Sequence, residues 1–385
     1  MAIETVISIS IMVLLTYSIW RLNRKRTPYQ SKVNLVKTQH NRRKKSQINQ
    51  MFQAELTDGT NETSEVKPAF ELPVDFLDFK LFVSKSLDSE QQKTIQDINQ
   101  SFRKPHPLLL PLTQGGFEPN ELFDLIKTDA EMTAKILNAV NSPLFSLRQP
   151  ITNINHAIIF LGITQVKNIA LQLAVQSNAK FKDETQNNAY KKLWAASYLA
   201  SSFCLLLAKE VNEENAAELS THCLLSYLGD LAILSYKPSI AGFYLDDYSL
   251  FERTKVFQKT LGINSAVVGK SLAQQWRLPS TIEQGIDNSL ISLTNSSLGE
   301  VKSSEQLRHI LLCYLACRLA DMVVFGSVRD FSQINMLSFE SLGEVEFYYT
   351  QEQIQTTGLS QINSLILDTS FRKKMNKIIE QTYEL

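Results

Sequence analysis

Apolar residues recur along most of the chain at the three-to-four residue spacing of a helix face. Between Asn120 and Val140 they fall at Leu122, Leu125, Ile126, Met132, Ile136, Leu137 and Val140, which describes one helical stripe. Asn141-Ser142-Pro143 ends it, because proline cannot continue a helix and constrains the residue before it. A second helix is expected from Ile154 through Ile158, Leu161, Val166, Ile169 and Leu173, with a bend at Gly162. Leu193, Trp194, Ser197, Ala200, Cys204 and Leu207 mark a stripe over 191–210, and Leu219, Cys223, Leu224, Leu228, Leu231 and Leu234 another over 215–236. Ser303-Ser304-Glu305-Gln306 carries a capping pattern ahead of Leu307, Ile310, Leu311, Tyr314, Leu315 and Met322. Two further helices are expected in 351–382, and Ser86 to Arg103 reads as a polar surface helix. Strand-like alternation is scarce beyond residue 70, and there is no βαβ pattern or Gly-rich phosphate loop. The fold class is therefore all-α, a multi-helix bundle.

The first fifty residues break this pattern. Residues 5–20 form a continuous apolar run without charge, followed at once by Arg21, Arg24, Lys25 and Arg26. Ala2 to Leu22 just reaches the roughly 17–20 residues that a span requires. A secretory signal would place its positive charge before the run and small residues after it, the reverse of what is found. The run therefore predicts one transmembrane helix over 1–22, with the basic side in the cytoplasm. Residues 23–69 read as a basic, polar, flexible tether, with Arg42-Arg43-Lys44-Lys45 in a Gln/Asn/Ser-rich stretch.

Composition adds an asymmetry to this layout. The 385 residues carry 39 basic and 39 acidic side chains, yet ten of the basic ones lie in 21–45. Such a collar attracts anionic lipid, at roughly 1 kcal/mol per basic side chain near the surface. Nucleic acid is not expected to bind it, since no aromatics interleave with the charges from 32 to 50 to stack bases. The hydrophobic share of 44% excludes a disordered chain, and four cysteines exclude a disulfide scaffold.

Candidate chemistry is sparse. His40, His106, His156, His222 and His309 stand apart, with no two at helical spacing. His222 lies on the apolar stripe of its helix and reads as a hydrogen-bonded core residue. Cys313 and Cys317 are one turn apart and could face a metal together, but they lack a CxxC partner and a neighbouring histidine. They read as small hydrophobes. Asp246-Asp247 precedes Tyr248-Ser249 in an exposed acidic loop, and there is no G-x-S-x-G or Walker motif. No catalytic, cofactor-binding or metal residue is expected.

Residues 108–178 nevertheless resemble the first half of an HDOD domain. The resemblance rests on Leu125-Ile126, Asp129, Met132, Ile136-Leu137, Asn141-Ser142 and Phe145. It continues with Ile151, Ala157-Ile158, Leu161-Gly162 and Asn168. A looser second half follows through Trp194 to Ser197, Leu224-Leu225 to Gly229, Leu261-Gly262 and Trp276 to Pro279. The resemblance implies a helical extension over 70–104, an HDOD domain over 105–335 and a C-terminal helical extension over 336–385.

HDOD domains resemble the HD metal-dependent phosphohydrolases and are usually regarded as regulatory modules of bacterial signalling. Carried onto this chain, the metal-ligand positions hold Ala196-Ser197, Ser226-Tyr227, Asn264-Ser265 and Gly285 to Ser289. Neutral oxygens of that kind do not replace imidazole and carboxylate around a divalent ion, and without the ion no water is activated. The resemblance thus implies a non-catalytic signalling or regulatory protein that acts by binding a signalling protein. It would sit at the bacterial inner membrane as a single-pass protein with its body in the cytoplasm. The alternative is a sensor that binds a nucleotide in the relic pocket without hydrolysing it. Arg277 and Lys270 are the cations the sequence offers for such a ligand.

Overall fold

Local capping chemistry sets where the helices of this chain begin. In the computed structural model, residues 72–383 are described, apart from 103, 115–116, 142–148, 177–182, 247, 295–302, 327 and 334–341. The regular structure of the described residues is helical, without strand. Among them no helix is long and apolar enough to cross a membrane. The apolar run of 1–22 and the tether of 23–69 lie outside the described residues, as do Ser142, Phe145 and Asp247.

The first half of the body contains α1 (Ser89–Ser101), α2 (Leu109–Thr113), α3 (Pro119–Lys127), α4 (Ala130–Val140), α5 (Ile154–Leu161) and α6 (Ile163–Gln176). The single stripe expected over 120–140 is two helices. The Asp129 carboxylate accepts from Met132 N at 2.7 Å, and this cap restarts the helix after Thr128. The bend at Gly162 is present. This residue sits at φ +84°, a conformation that side chains rarely adopt, and divides α5 from α6.

The long α7 (Glu184–Glu210) joins the two halves. It buries Leu193, Trp194, Ser197, Ala200, Cys204 and Leu207, as its stripe requires. Beyond it come α8 (Ala216–Leu225), α9 (Leu228–Tyr236), the one-turn α10 (Gly242–Leu245), α11 (Leu250–Leu261), α12 (Ser265–Gln275) and α13 (Ser280–Asp287). The stripe of 215–236 is thus also split, at Ser226-Tyr227. Here Ser226 Oγ donates back to His222 O at 2.8 Å and competes with the helical ladder. The capping pattern at Ser303 holds: its hydroxyl accepts from Gln306 N and opens α14 (Ser304–Val324). Three helices, not two, close the chain: α15 (Thr350–Thr356), α16 (Gln361–Leu367) and α17 (Thr369–Tyr383).

α7 packs against α8 and α14, with α6 and α17 also touching it, while α9 packs on α12 and α12 on α13. A buried polar link fixes the α6–α7–α8 junction. Asn168 Nδ2 donates to Ser201 Oγ at 2.8 Å and to Ser220 Oγ at 2.9 Å. The contact of α9 with α12 is closer still. A Cβ on Gly229 would stand 1.8 Å from Ser265 O, so the two helices meet backbone to backbone.

The region of 70–104 is helical only from residue 84. Residues 72–83 form an irregular strap, because their polar backbone finds partners on another part of the chain instead of within a helix. Gln258 clamps it: Phe82 N donates to Gln258 Oε1, and Gln258 Nε2 donates to Lys80 O, both at 2.9 Å. Asn264 Nδ2 donates to Phe82 O at 2.8 Å. Phe76 seats its ring 5.1 Å from that of Phe251, in an aromatic pocket completed by Tyr348 and Tyr349. The surface helix α1 is polar except for a narrow buried stripe through Ile95 and Ile98.

Candidate functional site

The close approach of α9 and α12 helps bring four of the carried-over positions into one place. Ser226 and Tyr227 at the α8–α9 corner, Ser265 at the start of α12 and Ser289 after α13 line a single cavity. Leu193 and Leu250 supply its apolar wall, and Arg253 of α11 and Arg318 and Asp321 of α14 close it. Ala196 and Ser197 do not line it; Ser197 donates to Trp194 O at 3.0 Å within its own helix. Asn264 instead caps α12 and holds the strap.

Charge at this site is organised around Asp321. Arg253 Nη2 lies 3.3 Å and Arg318 Nη1 2.8 Å from Asp321 Oδ2, and the Tyr227 hydroxyl donates to Asp321 Oδ1 at 2.8 Å. Both arginines are at most 5% exposed. Each also lies over aromatic rings, Arg253 4.7 Å from the Phe325 centroid and Arg318 5.2 Å from that of Tyr314. A second buried carboxylate, Asp230, accepts from the Tyr244 hydroxyl at 2.9 Å. Burial raises the Asp230 pKa, partly offset by the nearby charge of Arg253. The Tyr227 phenol is pushed well above its ordinary range, first by burial and then by the charge of Asp321. With these side chains in place, the remaining cavity is about 20 Å³, room for about one water.

The remaining candidates lie elsewhere. His106 Nε2 is 3.2 Å from Asp129 Oδ2, His156 is exposed, and His309 Nε2 is 3.0 Å from Glu213 Oε1. None of these lines the cavity, and His40 lies outside the described residues. Lys270 pairs with Asp287 at 2.7 Å, and Arg277 is exposed at a helix end. The cations at the cavity are therefore Arg253 and Arg318, which the sequence did not single out. Asp246 is exposed, as its loop suggested. Cys313 meets Cys204 and Cys223, with the sulfurs of 204, 223 and 313 within 4.8 Å of one another. Hydrogen bonds from the Cys223 and Cys313 thiols hold the Cys204 thiol below its ordinary range, at about 6.

Residues 108–290 match the model of the HDOD domain. This segment is an HDOD domain. The match ends before α14, the helix that supplies Asp321 to the HDOD cavity. The fold is similar to that of a protein of Marinobacter aquaeolei VT8 provisionally named for signal transduction. That likeness has a TM-score of 0.51 and 13% identity, covering 78% of this chain and 67% of the other. A crystal structure of an HDOD domain protein of unknown function from Geobacter sulfurreducens is 17% identical, with a TM-score of 0.45, over 75% of this chain and 98% of its own. An uncharacterized protein of Treponema pallidum (strain Nichols) is 22% identical over 215 residues. That match covers 53% of this chain and 41% of the relative, so the chain spans less than half of the curated relative it matches.

Proposed function

We propose that this HDOD protein is regulatory and non-catalytic, acting by binding a signalling protein while held at the bacterial inner membrane by residues 1–22. The observation that carries the reading is the content of the cavity. Where a phosphohydrolase would need metal ligands, it holds Ser226, Tyr227, Ser265 and Ser289. Of its two carboxylates, Asp321 is occupied by two arginines and a phenol, and Asp230 accepts from the Tyr244 hydroxyl. A metal site needs several ligands converging on one point, and a hydrolytic water needs that metal. A cavity of about 20 Å³ also leaves no space for a phosphoester. The basic collar would keep the body near anionic lipid.

The test is turnover. The full-length chain is incubated with a panel of phosphomonoesters and phosphodiesters, with manganese or ferrous ion in excess. No hydrolysis above the metal-only blank is expected. Metal-dependent turnover that disappears in Asp230→Asn would overturn the reading.

One observation favours the nucleotide sensor as a second reading. Arg253 Nε and Arg318 Nε are buried without hydrogen-bond partners among the described residues, so each guanidinium keeps an unused donor. A nucleotide that raises the melting temperature of the wild-type chain but not that of Arg253→Met would establish it. That outcome requires the cavity to open, with Asp321 released from its cations.

A further inference from the structure

The four cysteines of the chain come together where α7, α8 and α14 meet, although they are scattered in sequence. Cys204 comes from α7, Cys223 from α8 and Cys313 from α14, and their sulfurs all lie within 4.8 Å of one another. Cys317, one turn further along α14, is in contact with Cys223. Cys204 and Cys223 are fully buried, and Cys313 is partly so.

An imidazole stands beside one of the sulfurs. His222 precedes Cys223 on α8, is 9% exposed and interacts with the Cys313 side chain. Its Nε2 makes no hydrogen bond among the described residues and forms a long ion pair with Glu218 Oε1 at 3.6 Å. Packing of thiols as small hydrophobes accounts for buried sulfur. It does not require three sulfurs from three helices to converge within 4.8 Å of one another.

We propose that Cys204, Cys223 and Cys313, joined for zinc(II) by His222 once it leaves Glu218, form a binding site for one thiophilic d10 metal ion of the zinc(II) or copper(I) class. Tetrahedral zinc with bonds of about 2.3 Å sets its sulfurs about 3.8 Å apart, so the trio needs to contract by no more than about 1 Å. Zinc(II) takes the three thiolates and the imidazole, whereas copper(I) is satisfied by the three thiolates. Loading replaces the three thiol protons, which pass to solvent, and zinc also displaces any proton on the donor nitrogen of His222. No sulfur changes oxidation state. The ion would cross-link three helices one turn from Cys317, which lines the HDOD cavity.

The experiment uses the reduced full-length chain. Zinc(II) is titrated against a chromogenic chelator, and copper(I) against a copper(I)-selective one. One equivalent of at least one metal is expected, with its release of protons followed in weak buffer. X-ray absorption on the loaded wild-type chain should show three sulfurs near 2.3 Å, with one added nitrogen for zinc and none for copper(I). Cys223→Ser and Cys204→Ser should weaken binding by more than the about 10–100-fold that outer-shell changes produce. Absence of stoichiometric binding for both metals overturns the proposal, as does a first shell of nitrogen and oxygen alone. The absorption measurement needs no variant, so a cysteine variant that fails to fold does not blur the result.

Discussion

Replacing Asp321 by asparagine keeps the shape of the side chain and removes the charge that two buried arginines share. Arg253 and Arg318 approach Asp321 Oδ2 at 3.3 and 2.8 Å. With an effective dielectric near 20, each contact represents about 5–6 kcal/mol of gross attraction before desolvation is subtracted. Removing one partner of a buried pair costs about 3–5 kcal/mol, because the other charge is left without compensation. We expect Asp321→Asn to lose about 4 kcal/mol, and the melting temperature to fall by about 10 °C. Urea unfolding followed by circular dichroism measures the loss directly. The triple change Arg253→Met, Arg318→Met, Asp321→Leu should recover most of it, since apolar residues of similar volume often replace a buried ion network without loss. A loss below about 1 kcal/mol in Asp321→Asn, the range of exposed pairs, would show that water reaches the network and that the cavity is not sealed.

The same assays reach other parts of the body. Gly229→Ala places a methyl group against Ser265 O and should cost about 3 kcal/mol, because backbone has little room to yield; a loss under about 0.5 kcal/mol would mean that α9 and α12 separate easily. Burial raises the pKa of Glu213, but hydrogen bonds from Arg308 and His309 outweigh it and leave the carboxyl below its ordinary value. Its contribution to stability is therefore present above that value and lost as pH falls through the lowered one. Glu213→Gln should flatten the fall in stability as pH drops below the ordinary carboxylate range, and an unchanged acid limb would refute the assignment. Deleting residues 2–22 should move the chain from the membrane pellet to the supernatant, and a full-length chain already in the supernatant would refute the anchor. Phe76→Ala empties the aromatic seat of the strap and should make 72–83 the first site of proteolysis, whereas an unaltered cleavage pattern would show that the hydrogen bonds of Gln258 suffice.

Much of the helical layout was legible because its cues are local. Ser303 caps the helix that its pattern announced, and Gly162 bends the chain where a residue of either hand was needed. Breaks made by single polar side chains were harder to read. Asp129 and Ser226 each fit an amphipathic stripe, and only the partners they choose, Met132 N and His222 O, divide the helix. The lining serines were found through the HDOD resemblance, which carries positions that no local pattern links. Arg318 and Asp321 sit three residues apart on one helix, a spacing that carries no sign of burial, so their packing against Arg253 was invisible. The cysteines illustrate the same limit, since the crossing of α7, α8 and α14 sets their distances.

The clamp that Gln258 places on the strap has a consequence in time. Gln258 follows Lys80 by 178 residues, and Asn264 follows Phe82 by 182. At the roughly 5–20 residues per second of synthesis, the strap leaves the ribosome about 10–35 s before its clamp exists. Throughout that wait Phe76, Phe79 and Leu81 have no aromatic seat to enter. An early-made part of the body thus docks late, and its apolar side chains are open to chaperones until its clamp has been made.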